Sequence, residues 1–352
     1  MANIGTDASH FFQSDASIEE QKRRAAKVNY DLGDAIKCPS KVLAMTLNMG
    51  KSALYLAEAG HVARRINLQT RMAEAVFKGH TGPVTCIATW VDANGREYLF
   101  TGSWDKTIRQ WDVETLECVY VYAGHADFVK HILIHNSAIY SASSDCTIRL
   151  TSISTHETIR ILKGHTRPVE CLAMSDNGTL YSAGSDRVIR RWNTQTGESQ
   201  ELIGHETSVI YIQLHEDEMW SASADKTAKR WDLTQNSVDT TLDHPDYVKY
   251  VLRAGGYVIT ACRDERIRVW DVGTGHLIAN IDGHFDEVTS LQVVGSTLYS
   301  GSLDATIRSW KLTTQALKEY HVRATQPQKA KATSHGMTAE EEAELAELLD
   351  DV

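Results

Sequence analysis

No run in this 352-residue chain approaches the roughly 18 apolar residues that a membrane-spanning helix needs. The first twenty residues lack a basic start followed by an apolar stretch, so no secretory leader is expected. The six cysteines, at 38, 86, 118, 146, 171 and 262, form no C-x-x-C pair. Neither a zinc knuckle nor a thioredoxin-type site is signalled. Scattered single cysteines without a leader read as reduced core residues, and a cytoplasmic or nuclear home is the expectation. Positive charge is also short: 36 Lys and Arg face 46 Asp and Glu, for a net −10. That disfavours a general phosphate-backbone binder, which presents a basic face. Most of the excess is local. Ala339–Val352 holds five Glu, two Asp and no Lys or Arg, and the remainder carries only −3. There is no G-x-x-x-x-G-K-[ST], no strand-linked G-x-G-x-x-G and no H-E-x-x-H. No metal or cofactor is expected.

What the chain does have is a repeat. With 42% apolar residues it can bury a core, and that core is built from units of about 40 residues. Gly-His recurs at Gly79-His80, Gly124-His125, Gly164-His165, Gly204-His205 and Gly283-His284, with Asp243-His244 filling the gap. An Asp follows each His, at Asp105, Asp145, Asp186, Asp225, Asp264 and Asp304. Six residues later stands a Trp, at Trp111, Trp192, Trp231, Trp270 and Trp310; only Thr151 breaks the series. Runs such as TIRQW and RIRVW nearly alternate apolar and polar residues, with turn signals such as Asp176-Asn177-Gly178 between them. Each unit fits four short strands. No helical pattern intervenes, which excludes a βαβ architecture.

These features resemble the WD-repeat β-propeller family, in which Gly-His opens and Trp-Asp closes a unit of about 40 residues. The resemblance covers about residues 42–322. Residues 42–78 precede the first registered Gly-His yet still read as strands. Placing Ile66-Asn67-Leu68 against Trp111-Asp112-Val113 gives a first blade without motif Asp or Trp. The expected fold is all-β, a single seven-bladed propeller, with six blades as the alternative. An N-terminal extension over 1–41, a linker over 323–336 and an acidic helix over 337–352 complete the organisation.

The motif sets invite a catalytic reading. They are His80, Thr101, Asp105 and Trp111; His165, Ser182, Asp186 and Trp192; His205, Ser221, Asp225 and Trp231; His244, Thr260, Asp264 and Trp270; His284, Ser300, Asp304 and Trp310. A Ser-His-Asp nucleophile is one such reading. An enzyme needs one site rather than five copies round a ring. The resemblance implies instead a hydrogen-bond chain inside each blade, from Asp to His to hydroxyl to indole. Thr151 breaks that chain, so its blade should be the looser one.

Function is then expected on exposed surfaces. In the resembled family, the loops holding Gly-His and the motif Asp form the usual docking face. The positions exposed there correspond to Trp104, Phe128, Lys130, Tyr247, Lys249 and Arg263, an aromatic and cationic set suited to acidic or helical peptide segments. Ser17-Ile18-Glu19-Glu20 forms a capping box before a short basic helix with Lys22, Arg23, Arg24 and Lys27. At the other end, Leu345, Leu348, Leu349 and Val352 fall on one helical face, the format of a ligand for a hydrophobic groove. The expected activity is that of a non-enzymatic interaction scaffold, with no direct nucleic-acid or membrane binding. The alternatives are a substrate receptor of a ubiquitin ligase, or an RNA-processing or chromatin assembly factor. Trp111-Asp112, Trp231-Asp232 and Trp270-Asp271 are not followed by the Arg of Trp-Asp-x-Arg, which weighs against the ligase reading.

Overall fold

Period-two alternation between turn residues can satisfy the backbone only by pairing strands, and the repeat makes that pairing local. The computed structural model describes residues 32–325. They form seven four-stranded antiparallel sheets, the blades of a β-propeller. Blades 1 to 6 span 42–78, 84–122, 129–163, 169–202, 209–243 and 248–282. The alternative of six blades is therefore excluded. The first blade does lack motif Asp and Trp: Gly60 and Ile66 stand in their places, and Ile66 pairs with Ala73 as Trp111 pairs with Cys118.

Blade 7 draws three strands from 288–311 and its fourth, outermost strand from Ile36–Lys37. Ile36 pairs with Ile307, Lys37 with Thr306, and the Cys38 amide donates to the Ala305 carbonyl at 2.8 Å. The strand that closes the ring thus comes from the segment expected to lie outside it. Gly33 leads into this strand in the left-handed region (φ 77°), and a Cβ there would stand 2.6 Å from the Trp310 ring. Two residues are too short for an alternation pattern, so the sequence carries no readable signal for them.

The chain leaves the seventh blade through a helix, α1 (Thr314–Thr325), where sequence reading placed propeller and the start of a linker. Thr313 caps it: its hydroxyl accepts from the Ala316 amide at 3.3 Å. Leu317 is buried in the core shared with Trp310, and Tyr320 meets the Trp310 ring edge-on at 5.6 Å. The expected basic helix near 17–30, and Leu345, Leu348, Leu349 and Val352, lie outside the described residues.

One local device recurs in all seven blades. The first strand carries a fully buried Val (Val42, Val84, Val129, Val169, Val209, Val248 and Val288), and the sheet register slips just after it. The slip is a β-bulge, which re-aims the next side chain. The residue after each Val lines a central cavity of about 420 Å³. Among them are Lys130, Glu170 and Lys249. First strands of successive blades touch round the whole ring. Across the closure, Thr289 Oγ1 donates to the Val42 carbonyl at 2.8 Å and Gln292 Nε2 to that of Met45 at 3.1 Å.

Candidate functional site

The motif residues meet inside the blades. In blade 5, His205 Nδ1 lies 2.7 Å from Asp225, its Nε2 2.6 Å from Ser221 Oγ, and Trp231 Nε1 donates to that oxygen at 2.8 Å. A hydroxyl has one proton and can accept as well as donate. It gives the proton to the imidazole and accepts from the indole, which fixes Nδ1–H toward the carboxylate. The same chain runs through His80, Asp105, Thr101 and Trp111 in blade 2, His165, Asp186, Ser182 and Trp192 in blade 4, and His284, Asp304, Ser300 and Trp310 in blade 7. In blade 3 it runs through His125, Asp145 and Ser141 and stops at Thr151.

The carboxylates do a second job. Asp225 Oδ1 accepts from the Thr227 amide at 3.0 Å and its hydroxyl at 2.6 Å, closing the turn. The residue between them, Lys226, sits in the left-handed region (φ 69°), as do Lys106, Cys146, Arg187, Glu265 and Ala305 in other blades. His61 holds this place in blade 1. Burial opposes the Asp225 charge, but hydrogen bonds from His205, Thr227 and the Glu206 amide hold its carboxyl well below the usual range. Asp105, Asp145 and Asp304 are held low in the same way.

Blade 6 departs from the expected wiring. His244 Nδ1 turns to the Leu242 carbonyl at 2.9 Å, while its Nε2 keeps Thr260 at 2.8 Å and Trp270 keeps Thr260 at 3.0 Å. Asp264 is taken by the buried Arg268, at 2.5 and 3.2 Å. Burial, and then the Arg268 charge, push the His244 pKa down to about 4.

None of these groups is placed for catalysis. Ser182, Ser221 and Ser300 are fully buried, so no substrate can reach their oxygens. Burial pushes the thiols of Cys86, Cys171 and Cys262 up to about 12, far from the thiolate that a nucleophile requires. Among the described residues, no group of three or more His, Cys, Asp or Glu is placed to hold a metal ion. In the central cavity, Tyr211 and Tyr250 stack at 3.8 Å with their hydroxyls 2.7 Å apart, and the His131 ring stands edge-on to Tyr211.

The exposed candidates fall into two groups on the loops. Trp104 and Phe128 stack at 5.0 Å with their planes 16° apart, and Trp104 is 46% exposed. In blade 6, the Arg263 guanidinium lies 5.2 Å from the Tyr247 ring centre. The cations are not free, contrary to the expected cationic face. Lys130 pairs with Glu170 at 3.3 Å, Lys249 with Glu287 at 3.0 Å, and Arg263 with the same Glu287 at 3.3 Å. Three cations therefore meet two carboxylates. Sequence reading missed Glu170 and Glu287. The Glu170 position is the very one that holds Lys130 and Lys249 in blades 3 and 6, so the register itself could have found it.

The seven sheets, the slip after each opening Val and the Asp-His-hydroxyl-indole chain define a WD-repeat propeller. The family model described as WD domain, G-beta repeat matches residues 72–112, 116–152, 156–193, 197–232 and 275–311, and the chain belongs to this family. It is 34% identical, over 97% of its length and 98% of the relative's, to an uncharacterized WD repeat-containing protein of Schizosaccharomyces pombe. It is also similar in part to mitochondrial division protein 1 of the same yeast, 27% identical over 32% of this chain and 22% of that protein. A ribosome biogenesis protein, the WDR12 homolog of Nematostella vectensis, is 29% identical over 37% of this chain and 39% of its own length.

Proposed function

We propose that the chain is a non-enzymatic scaffold that nucleates a multiprotein complex through the loop face of its propeller and its acidic C-terminal segment. WD-repeat propellers are in general protein-interaction scaffolds. The observation that carries the reading is the contrast in exposure: polar motif groups are locked inside the blades, while Trp104 and Tyr247 stand out at the loops. Aromatic residues presented on a rigid frame supply contact area at little entropic cost. Because Glu170 and Glu287 already hold Lys130, Lys249 and Arg263, an acidic peptide must displace them, and the aromatic pairs are the principal anchors. The segment 337–352, with Leu345, Leu348, Leu349 and Val352, adds a second contact in a hydrophobic groove of another partner. The place of action proposed is the cytoplasm or nucleus.

The test is affinity purification of the full chain, of a Trp104→Ala/Phe128→Ala/Tyr247→Ala variant, and of a chain lacking 337–352, each read by mass spectrometry. Each change should remove a distinct set of partners while the propeller keeps its melting temperature. If all three preparations recover the same partners, the proposal fails. The part-length similarity to a ribosome biogenesis protein favours one subtype, an assembly factor for RNA processing. Pre-ribosomal proteins among the lost partners would support it.

A further inference from the structure

Each blade ends in an edge strand whose outer backbone groups meet no further strand in its sheet. Such edges invite pairing with other chains and are ordinarily guarded by charge or proline. Charge guards most of the edges here. Glu74 and Lys78 protect blade 1, Arg160 and Lys163 blade 3, and Glu201 blade 4. Blades 5, 6 and 7 have Asp239 and Asp243, Asp282 and Lys37 in the same role. The outer strand of blade 2, Cys118–Tyr122, reads CVYVY and carries no charge at all.

That strand also carries a run of exposed apolar residues. Val119, Tyr120 and Val121 are exposed in succession, at 51%, 37% and 40%. Leu116 just before it, and Ile159 and Ile161 on the outer strand of blade 3, are exposed as well. These six make up nearly half of the thirteen large hydrophobic residues exposed in the described chain. Tyr120 stacks at 3.7 Å on His156, in the turn that leads to Ile159, so the two blades present one continuous patch. A patch of this kind marks an interface rather than ordinary surface.

We propose that Cys118–Tyr122 pairs with the same strand of a second copy, giving a two-fold dimer in which two blades share one sheet. A two-fold contact requires a surface complementary to itself. Antiparallel pairing requires further that the strand read alike in both directions. Tyr120-Val121-Tyr122 does so: about Val121, each Tyr120 lies opposite the partner's Tyr122, whose own ring is buried, Val121 meets its own copy, and the exposed Val119 faces the small Ala123. No charge falls within the paired stretch, so nothing repels. The one irregularity of the strand precedes Tyr120, and Tyr120–Tyr122 keep regular register with Ile108–Gln110. One short strand and its flanking patch form a small interface. Interfaces below about 1,200 Å² are weak, and a dissociation constant in the micromolar range is expected.

The test is sedimentation velocity on the full chain at rising concentration. The unaltered protein should pass from monomer to dimer. Val121→Lys puts two like charges face to face and should weaken the dimer at least ~10-fold without lowering the melting temperature. Leu277→Lys, on the outer strand of blade 6, should leave it unchanged. Val121→Cys supplies a readout independent of that balance: mild oxidation should give a disulfide-linked dimer on a non-reducing gel, above the background of the unaltered chain. A protein that stays monomeric at the highest concentration overturns the proposal, as does a Val121→Lys dimer as tight as the parent or a Val121→Cys chain that does not cross-link. A monomer that instead captures an added strand-forming peptide would also refute the second copy as occupant.

Discussion

In blade 5, Asp225 holds His205, and Lys229 donates to the Gly204 carbonyl at 2.6 Å. In blade 6 the corresponding cation, Arg268, has moved onto Asp264, and His244 has turned to a backbone carbonyl. The two blades also differ in the residue before the histidine. A Cβ at Gly204 would stand 2.7 Å from the Trp231 ring. Blade 6 has Asp243 at this place and cannot adopt the same backbone. The imidazole of His244 sits 5.0 Å from the Trp270 ring, against 6.0 Å between His205 and Trp231. The same His, Asp, hydroxyl and Trp thus support two wirings, and blade 6 is the one of the six regular blades with a Cβ before its histidine.

The two blades should differ most in their response to loss of the carboxylates. Asp264→Ala leaves the Arg268 charge buried without its partner and should cost about 3–5 kcal/mol in chemical denaturation. Asp264→Ala/Arg268→Met should recover most of that loss. Asp225→Ala frees His205 and opens the turn at Thr227, for an expected loss on the order of 2–4 kcal/mol. If the blade 6 double variant were no more stable than Asp264→Ala, the two blades would be wired alike.

The residue before the histidine should act next in size. Gly204→Ala forces a methyl against Trp231 and should cost about 1–3 kcal/mol by the same measurement. Asp243→Gly removes the constraint in blade 6 and should let Asp264 return to His244, seen as a rise of the His244 pKa by NMR titration. An unmoved pKa would dismiss Asp243 as the cause.

A smaller contrast lies in pH dependence. The folded pKa of His244, about 4, lies below its ordinary 6.5, so the unfolded chain takes up the proton first. Its contribution is full above about pH 6.5 and drains as the pH falls toward about 4, by about 2 kcal/mol between pH 7 and pH 5. His131, also held near 4 by burial, loses stability in the same window. His244→Gln should therefore flatten that part of the stability profile without removing it. Asp225 is held low as well, and its contribution goes only as the pH falls through and below the ordinary carboxylate range. Asp225→Asn should leave the interval from about pH 7 to about pH 5 unaltered.

The smallest expected difference concerns the hydroxyls. Ser221→Ala removes the partner of both His205 Nε2 and Trp231 Nε1, whereas Ser141→Ala in blade 3 removes only that of His125 Nε2. Blade 3 should lose less, by about 1 kcal/mol, because Thr151 has no indole to satisfy. Equal losses would show that the indole bond contributes nothing.

From the repeat alone came the propeller itself and the residues that meet inside blades 2, 4, 5 and 7, while seven blades and six both remained open. Gly-His, Asp and Trp recur at nearly constant spacing, and hydrogen bonds between strands of one blade depend on little beyond that spacing. It also marked Trp104, Phe128, Tyr247 and Arg263, because loop residues keep their register with the motif. Three features arise from packing between segments. Ile36–Lys37 closes the ring because the last edge needs a strand, and two residues from the far end of the chain supply it. Lys130, Lys249 and Arg263 meet Glu170 and Glu287 because the packing of one blade on the next brings these side chains within reach; the repeat register locates Glu170, but not the pairing. Arg268 rather than His244 takes Asp264, a choice that the motif residues, shared with blade 5, do not reveal. Each of these depends on how strands and blades pack against one another, which spacing along one strand does not encode.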